Sequence, residues 1–182
     1  MSRMLEIDDS ALVVVDVQGK LAELMYDKET VFANCVVLVK TAKILGVPIL
    51  WCQQYPKALG ETIPQLAELL GDETPIDKLC FSCAGHPDFI ARLHELKREQ
   101  VMLCGIETHV CVHQTAMDLL DRDYDVHLIS DAVSSRTESN KKVGIQRMRD
   151  EGVCISSTEM ALFELLRTAE HEKFKEVAKL IK

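Results

Sequence analysis

The sequence predicts an α/β protein, a three-layer α/β/α Rossmann-like sandwich around a six-stranded parallel sheet. Three observations carry this. Short apolar runs alternate with segments of helical spacing along the whole chain. The apolar content is mostly aliphatic, with aromatics at 5%, as buried parallel strands favour. The 182 residues suit one domain, 1–182, long enough to bury a core on both faces of a sheet.

The elements follow in order. Residues 11–15 (Ala11, Leu12, Val13, Val14, Val15) form a continuous apolar run ended by Asp16, the pattern of a buried strand. Residues 30–45 repeat apolar positions at helical spacing through Val31, Cys35, Leu38, Val39 and Ala42, with Gly46 as the stop. A second strand is expected at 47–52, then a loop over 53–63 with Pro56 and Gly60, and a short helix at 64–70. The third strand, 76–80, is brief and contains Asp77 and Lys78. An amphipathic helix over 88–98 starts after His86-Pro87. The fourth strand, 101–104, leads into a tight turn from Gly105 and a helix that opens near Cys111 and runs to about residue 122. A fifth strand at 126–129, a helix over 139–151 stopped by Gly152, a sixth strand at 153–155 and a helix through 166 capped by Ser157 and Thr158 complete the alternation. The tail, 169–181, is charged and helical by pattern. Helices between successive strands require parallel pairing, and ligands in such sheets bind beyond the carboxyl ends of the strands.

Three reactive residues fall on that rim. Asp16 ends the first strand, Lys78 lies at the third, and Cys111 opens the helix after the fourth. Together they suit covalent thiol catalysis: the cysteine as nucleophile, the aspartate as proton acceptor and donor, the lysine as a cation favouring both the thiolate and the ionised aspartate. A helix N-terminus also stabilises a thiolate, and amides in the turn before it can hold an oxyanion. Each residue has a plainer role when taken alone. Asp after a strand is commonly a cap or turn residue, Lys a solvated charge, and Cys a small core hydrophobe. Cys35, Cys104 and Cys154 are expected to be of that last kind.

Composition excludes other classes. A net charge of −8 with no basic face argues against a duplex nucleic-acid partner. No apolar stretch approaches a membrane span, and Met1-Ser2-Arg3-Met4 leads into acidic residues rather than a signal segment, so a cytoplasmic location is expected. Seven cysteines without an export signal read as reduced thiols. Cys80-Phe81-Ser82-Cys83 has redox or half-zinc spacing but lacks a second pair. His109 and His113, four apart, have no carboxylate at ligand spacing.

Three segments in order resemble the isochorismatase-like (cysteine hydrolase) superfamily: Val13-Val14-Val15-Asp16-Val17-Gln18, Asp77-Lys78-Leu79-Cys80-Phe81-Ser82, and Gly105-Ile106-Glu107-Thr108-His109-Val110-Cys111-Val112. The likeness covers about residues 8–166. It implies a Cys–Asp–Lys triad at Cys111, Asp16 and Lys78, a cis peptide between Ile106 and Glu107, and an oxyanion hole from the amides of Glu107 and Cys111. It also implies a homo-oligomer with a small-molecule substrate. Asp131, in the segment after the fifth strand, reads as a loop organiser. Nicotinamidase-like members carry Asp-x-His after the second strand to hold a metal. Here Gln53-Gln54-Tyr55-Pro56 stands there instead, so no metal and no cofactor are expected. A retained cysteine points to an amide-type substrate, with Gln18, Tyr55 and His109 as candidate pocket residues and Trp51 as core. The rival readings are a catalytically silent scaffold, a nicotinamidase-like amidase, and a thiol redox sensor using Cys80 and Cys83.

Overall fold

The computed structural model describes residues 4–181. Residues 1–3, where the expected plain N-terminus begins, lie outside the described residues. Six strands form one sheet: β1 (Ser10–Val15), β2 (Ile49–Gln54), β3 (Ile76–Lys78), β4 (Gln100–Ile106), β5 (Asp125–Ser134) and β6 (Cys154–Ser156). Their order is β3-β2-β1-β4-β5-β6, and every pairing is parallel.

All of β1 is buried because both faces of the sheet are covered. Leu12 and Val14 face one apolar cluster, built with α2 (Lys28–Leu45) and α8 (Thr158–Leu166). Ala11, Val13 and Val15 face a second, built with α5 (Pro87–Leu96), α6 (His113–Leu120) and α7 (Glu138–Asp150). Side chains alternate across a strand, so one uninterrupted apolar run supplies two cores. Among the described residues four short helices complete the fold: α1 (Gly19–Glu23), α3 (Pro56–Leu59), α4 (Pro64–Ala67) and α9 (Phe174–Ala178). Gly46 closes α2 at φ 71°, with its N–H donating to Ala42, as a left-handed C-cap requires.

The sequence places the main elements well, with informative departures. β2 starts and ends two residues later than expected. The 53–63 loop contains the single turn α3, and its end pairs back through a Gln18–Thr62 bridge. β4 extends through Gly105 to Ile106, so the expected turn there is strand. Gly105, at φ 118°, permits this: a Cβ would sit 2.0 Å from the Val15 carbonyl oxygen. The expected helix at Cys111 begins only at His113, after a π-helical turn over Thr108–Val112 in which Val112 donates to Glu107 and His113 to Thr108. β5 runs to Ser134 with a register shift opposite Leu103 and Gly105. Asp131 therefore lies within β5 rather than in a loop, and its Oδ1 accepts from the N–H and Oγ1 of Thr158 to cap α8. The tail forms only α9 and a short 3₁₀ turn. Among the described residues no helix is long and apolar enough to cross a membrane.

β1 pairs with β2 on one side and β4 on the other. The carboxyl ends of β1 and β4 thus flank the point where strand order reverses, the place where open α/β sheets form a ligand crevice.

Candidate active site

Asp16 follows the last residue of β1 at φ 51°, with its amide donating to the Cys52 carbonyl of β2. Few side chains tolerate that backbone region, and Asp is among those that do. Lys78 ends β3, two strands away, and its side chain is fully buried. Its Nζ donates to Asp16 Oδ2 at 2.7 Å, Gln54 Oε1 at 2.8 Å and the Phe81 carbonyl at 2.9 Å, with the Cys80 carbonyl at 3.3 Å. The three N–H groups of an ammonium are satisfied by these oxygens. Burial opposes the Lys78 charge, but the Asp16 carboxylate and the nearby Cys83 and Cys111 sulfurs outweigh it and raise its pKa.

Asp16 Oδ1 is buried and makes no hydrogen bond of its own among the described residues. Desolvation lifts the Asp16 carboxyl above its ordinary range, opposed by the Lys78 charge and hydrogen bond, with the Cys111 thiol as a further neighbour. Cys111 is 8% exposed, carried by the π-helical turn. Burial first and the Asp16 charge second push its pKa far up, against the pull of Lys78. Burial and the Asp16 charge thus disfavour the thiolate, in keeping with the expectation that Asp16 accepts the thiol proton. The cause is depth in the crevice beside a carboxylate, which exceeds what Lys78 supplies.

The peptide bond between Ile106 and Glu107 is cis. Glu107 Oε1 accepts from the N–H and Nε of Arg136, which anchors the segment just before Cys111. Thr115 Oγ1 donates to the Cys111 carbonyl at 2.7 Å and accepts from the Cys83 amide, holding the π-helical turn against Cys83. His109 Nδ1 lies 2.9 Å from Ser135 Oγ and is half-buried.

Of the expected pocket residues, Tyr55 is exposed, takes the left-handed backbone at φ 37°, and borders a cavity of about 250 Å³ with Pro56, Lys57, Asp77, Lys78 and Leu79. Gln18 is different. It is fully buried, and its amide is used up within the protein: Nε2 donates to the Gln54 and Gly60 carbonyls and Oε1 accepts from the Gln54 amide. It fastens the loop after β2, with both amide protons committed within the protein. Trp51 packs in the core with Nε1 on Thr62 Oγ1, as expected. Gln54 was missed: nothing in a single Gln signals that a buried lysine on the next strand will reach it.

The cysteines are free thiols. Cys35 and Cys104 lie in the core, bonded to the Ala132 and Val13 carbonyls. Among the described residues no group of three or more His, Cys, Asp or Glu is placed to hold a metal.

The Isochorismatase domain family matches residues 10–160 of this chain, spanning all three segments that carry Asp16, Lys78 and Cys111. The chain belongs to the isochorismatase family. Relatives within the family include the secreted isochorismatase effector Isc1 of Phytophthora sojae, 42% identical over 95% of this chain and 84% of its own length. Isochorismatase domain-containing protein 2 of Bos taurus is 38% identical over 95% of this chain and 83% of its own. Among solved structures, the MAR1 ribonuclease from Caenorhabditis elegans superposes with a TM-score of 0.92 at 39% identity, covering 98% of this chain and 92% of that one. The YcaC gene product from Escherichia coli, described as an octameric hydrolase of unknown specificity, shares the fold at a TM-score of 0.94 and 22% identity, covering 100% of this chain and 90% of that one.

Proposed function

We propose that this isochorismatase-family protein is a metal-independent cysteine hydrolase that cleaves a small amide-type or related substrate through a thioester on Cys111. The observation that carries the reading is the buried Lys78–Asp16 pair at 2.7 Å, which leaves Asp16 Oδ1 unpaired beside the Cys111 thiol at the strand-order switch point. Asp16 takes the thiol proton as sulfur adds to the substrate carbonyl. The amides of Glu107 and Cys111 receive the oxyanion. Collapse expels the amine, which takes the proton from Asp16. Water then attacks the thioester, Asp16 accepts its proton, and the acid leaves as the proton returns to sulfur. Lys78 keeps its proton throughout and favours the ionised form of Asp16 before each proton transfer. Tyr55 and His109 are the proposed substrate-contacting side chains. Gln53-Gln54-Tyr55 at the end of β2 supplies no carboxylate–imidazole pair for a metal, which separates this reading from a nicotinamidase-like amidase.

The test is intact-mass analysis during turnover of a panel of small amides and esters. An acyl adduct on Cys111, absent in Cys111→Ala, is expected. Turnover that survives Cys111→Ala, or a panel without turnover or adduct, overturns the reading, the latter in favour of a silent scaffold. The C. elegans neighbour is named a ribonuclease, but a net charge of −8 disfavours a phosphate backbone here. RNA therefore belongs in the panel, and its cleavage would reject the small-substrate reading. A homo-oligomer and a cytoplasmic location complete the proposal. The octameric description of the E. coli neighbour supports the first. The secreted Phytophthora relative makes cell fractionation the check on the second.

A further inference from the structure

We infer that Gln54 is a positioning residue: a neutral oxygen ligand that fixes the Lys78 ammonium on Asp16 without competing for its charge. The inference rests on Asp16 as the base for Cys111. Lys78 Nζ has three protons and three short acceptors, of which Asp16 Oδ2 is the carboxylate. The Phe81 carbonyl is fixed by the chain. Gln54 Oε1, at 2.8 Å, is the remaining one and the only side-chain amide among them. Its geometry is tightly held. Gln54 Nε2 donates to the Leu79 carbonyl at 2.9 Å, joining the end of β2 to the residue after Lys78. The Gln54 backbone is gripped at both polar groups by the buried Gln18 amide, at 2.7 Å and 2.9 Å. The next residue, Tyr55, donates its amide to the Lys78 carbonyl. A rotatable ammonium is thereby given one orientation. Neutrality is the second requirement. A carboxylate at this position would take part of the Lys78 charge and place a second anion near Asp16, which lifts the Asp16 pKa. The neighbouring Gln53 serves as a contrast: its Oε1 accepts from the amide and Oγ1 of Thr62, and its Nε2 donates to Asp77, so it braces the loop without touching Lys78.

The experiment follows alkylation of Cys111 by iodoacetamide, read by peptide mass over pH 4–9, in the full-length protein and in Gln54→Glu, Gln54→Ala, Gln53→Ala and Asp16→Asn. Thermal melts confirm folding of each. This readout needs no knowledge of the substrate. Asp16→Asn is expected to remove the acid limb of the profile. Gln54→Glu is expected to move that limb up by about one pH unit, because like charge disfavours ionisation of Asp16. Gln54→Ala is expected to slow alkylation on the plateau about tenfold, through an untethered Lys78. Gln53→Ala is expected to lower the melting temperature and leave the limb in place. An unmoved limb in Gln54→Glu, with Asp16→Asn behaving as stated, overturns the role of Gln54 alone. A wild-type profile in Asp16→Asn overturns Asp16 as base and the inference with it.

Discussion

Removing the Lys78 ammonium while keeping its apolar bulk, as in Lys78→Met, isolates what the buried ion pair does for the fold. In the native chain both side chains are essentially excluded from water, at 0% and 1% exposure, with 2.7 Å between Nζ and Oδ2. Leaving one member of such a pair uncompensated costs about 3–5 kcal/mol. The Asp16 carboxyl escapes part of that cost by taking a proton. Its pKa is raised by burial even with Lys78 present, so without Lys78 it rises further. A carboxyl whose folded pKa exceeds its unfolded value binds protons more tightly when folded. The variant therefore gains stability as pH falls from the folded pKa toward the unfolded one, and its deficit is largest at neutral pH. The double variant Asp16→Asn with Lys78→Met carries no buried charge and should recover all but about 1–2 kcal/mol, the cost of an imperfectly satisfied amide. Trp51 is the sole tryptophan and is buried, so urea unfolding followed by its fluorescence at fixed protein concentration is a suitable assay. A Lys78→Met deficit that is equal at pH 5 and pH 8, or a double variant less stable than Lys78→Met, would refute the reasoning.

Three further substitutions probe the surroundings. Gly105→Ala places a Cβ 2.0 Å from the Val15 carbonyl oxygen at φ 118°, so β1 and β4 must separate; the expected loss is about 2–6 kcal/mol, read by urea midpoint, with Cys111 alkylation altered as well. Asp131→Ala removes both hydrogen bonds to Thr158 and should cost about 1–2 kcal/mol, with faster amide exchange in the first turn of α8 and partial recovery in Asp131→Asn. Gln18→Ala deletes the amide that grips Gln54 and Gly60, and proteolytic cleavage within residues 55–60 should become faster at unchanged global melting behaviour to within a few degrees.

The sheet was legible because its central strands are buried on both faces and read as unbroken apolar runs, and because α2 ends at a glycine where a left-handed cap is needed. β5 was cut short in the reading at Ile129 for a physical reason. Ser130, Asp131 and Ser134 are polar, but each spends its side chain on a tertiary partner: the Ser156 carbonyl, Thr158 and the Tyr26 carbonyl. Polar residues satisfied by distant groups look like loop when only the local sequence is seen. The shared rim of Asp16, Lys78 and Cys111 was legible for the complementary reason. Asp16, Lys78 and Cys111 each stand at the carboxyl end of a strand or just past one, and parallel topology sends those ends to one rim. What orients them was not. The Cys80 and Phe81 carbonyls and Gln54 converge on Lys78, and Gln18 holds the Gln54 backbone, through geometry that no spacing rule encodes.

The protonation state of Cys111 joins these observations. A cysteine in the first turn of a long α-helix is expected to ionise early, but here a π-helical turn carries the sulfur and α6 begins two residues later. Dipole stabilisation falls off within a turn and is weak for a thiol beside a carboxylate. Burial then dominates and raises the proton affinity of the thiol. Desolvation raises the proton affinity of Asp16 in the same direction, which suits the part of proton acceptor proposed for it. The Lys78 charge and hydrogen bond oppose that rise and favour the ionised carboxylate that the proposed mechanism requires. The ammonium thus acts on both groups, on the aspartate by contact and charge and on the cysteine by charge alone. The ammonium protons are taken up by Asp16 Oδ2, Gln54 and the Phe81 carbonyl, which leaves Asp16 Oδ1 as the carboxylate oxygen without a hydrogen bond among the described residues, with the Cys111 thiol as its neighbour.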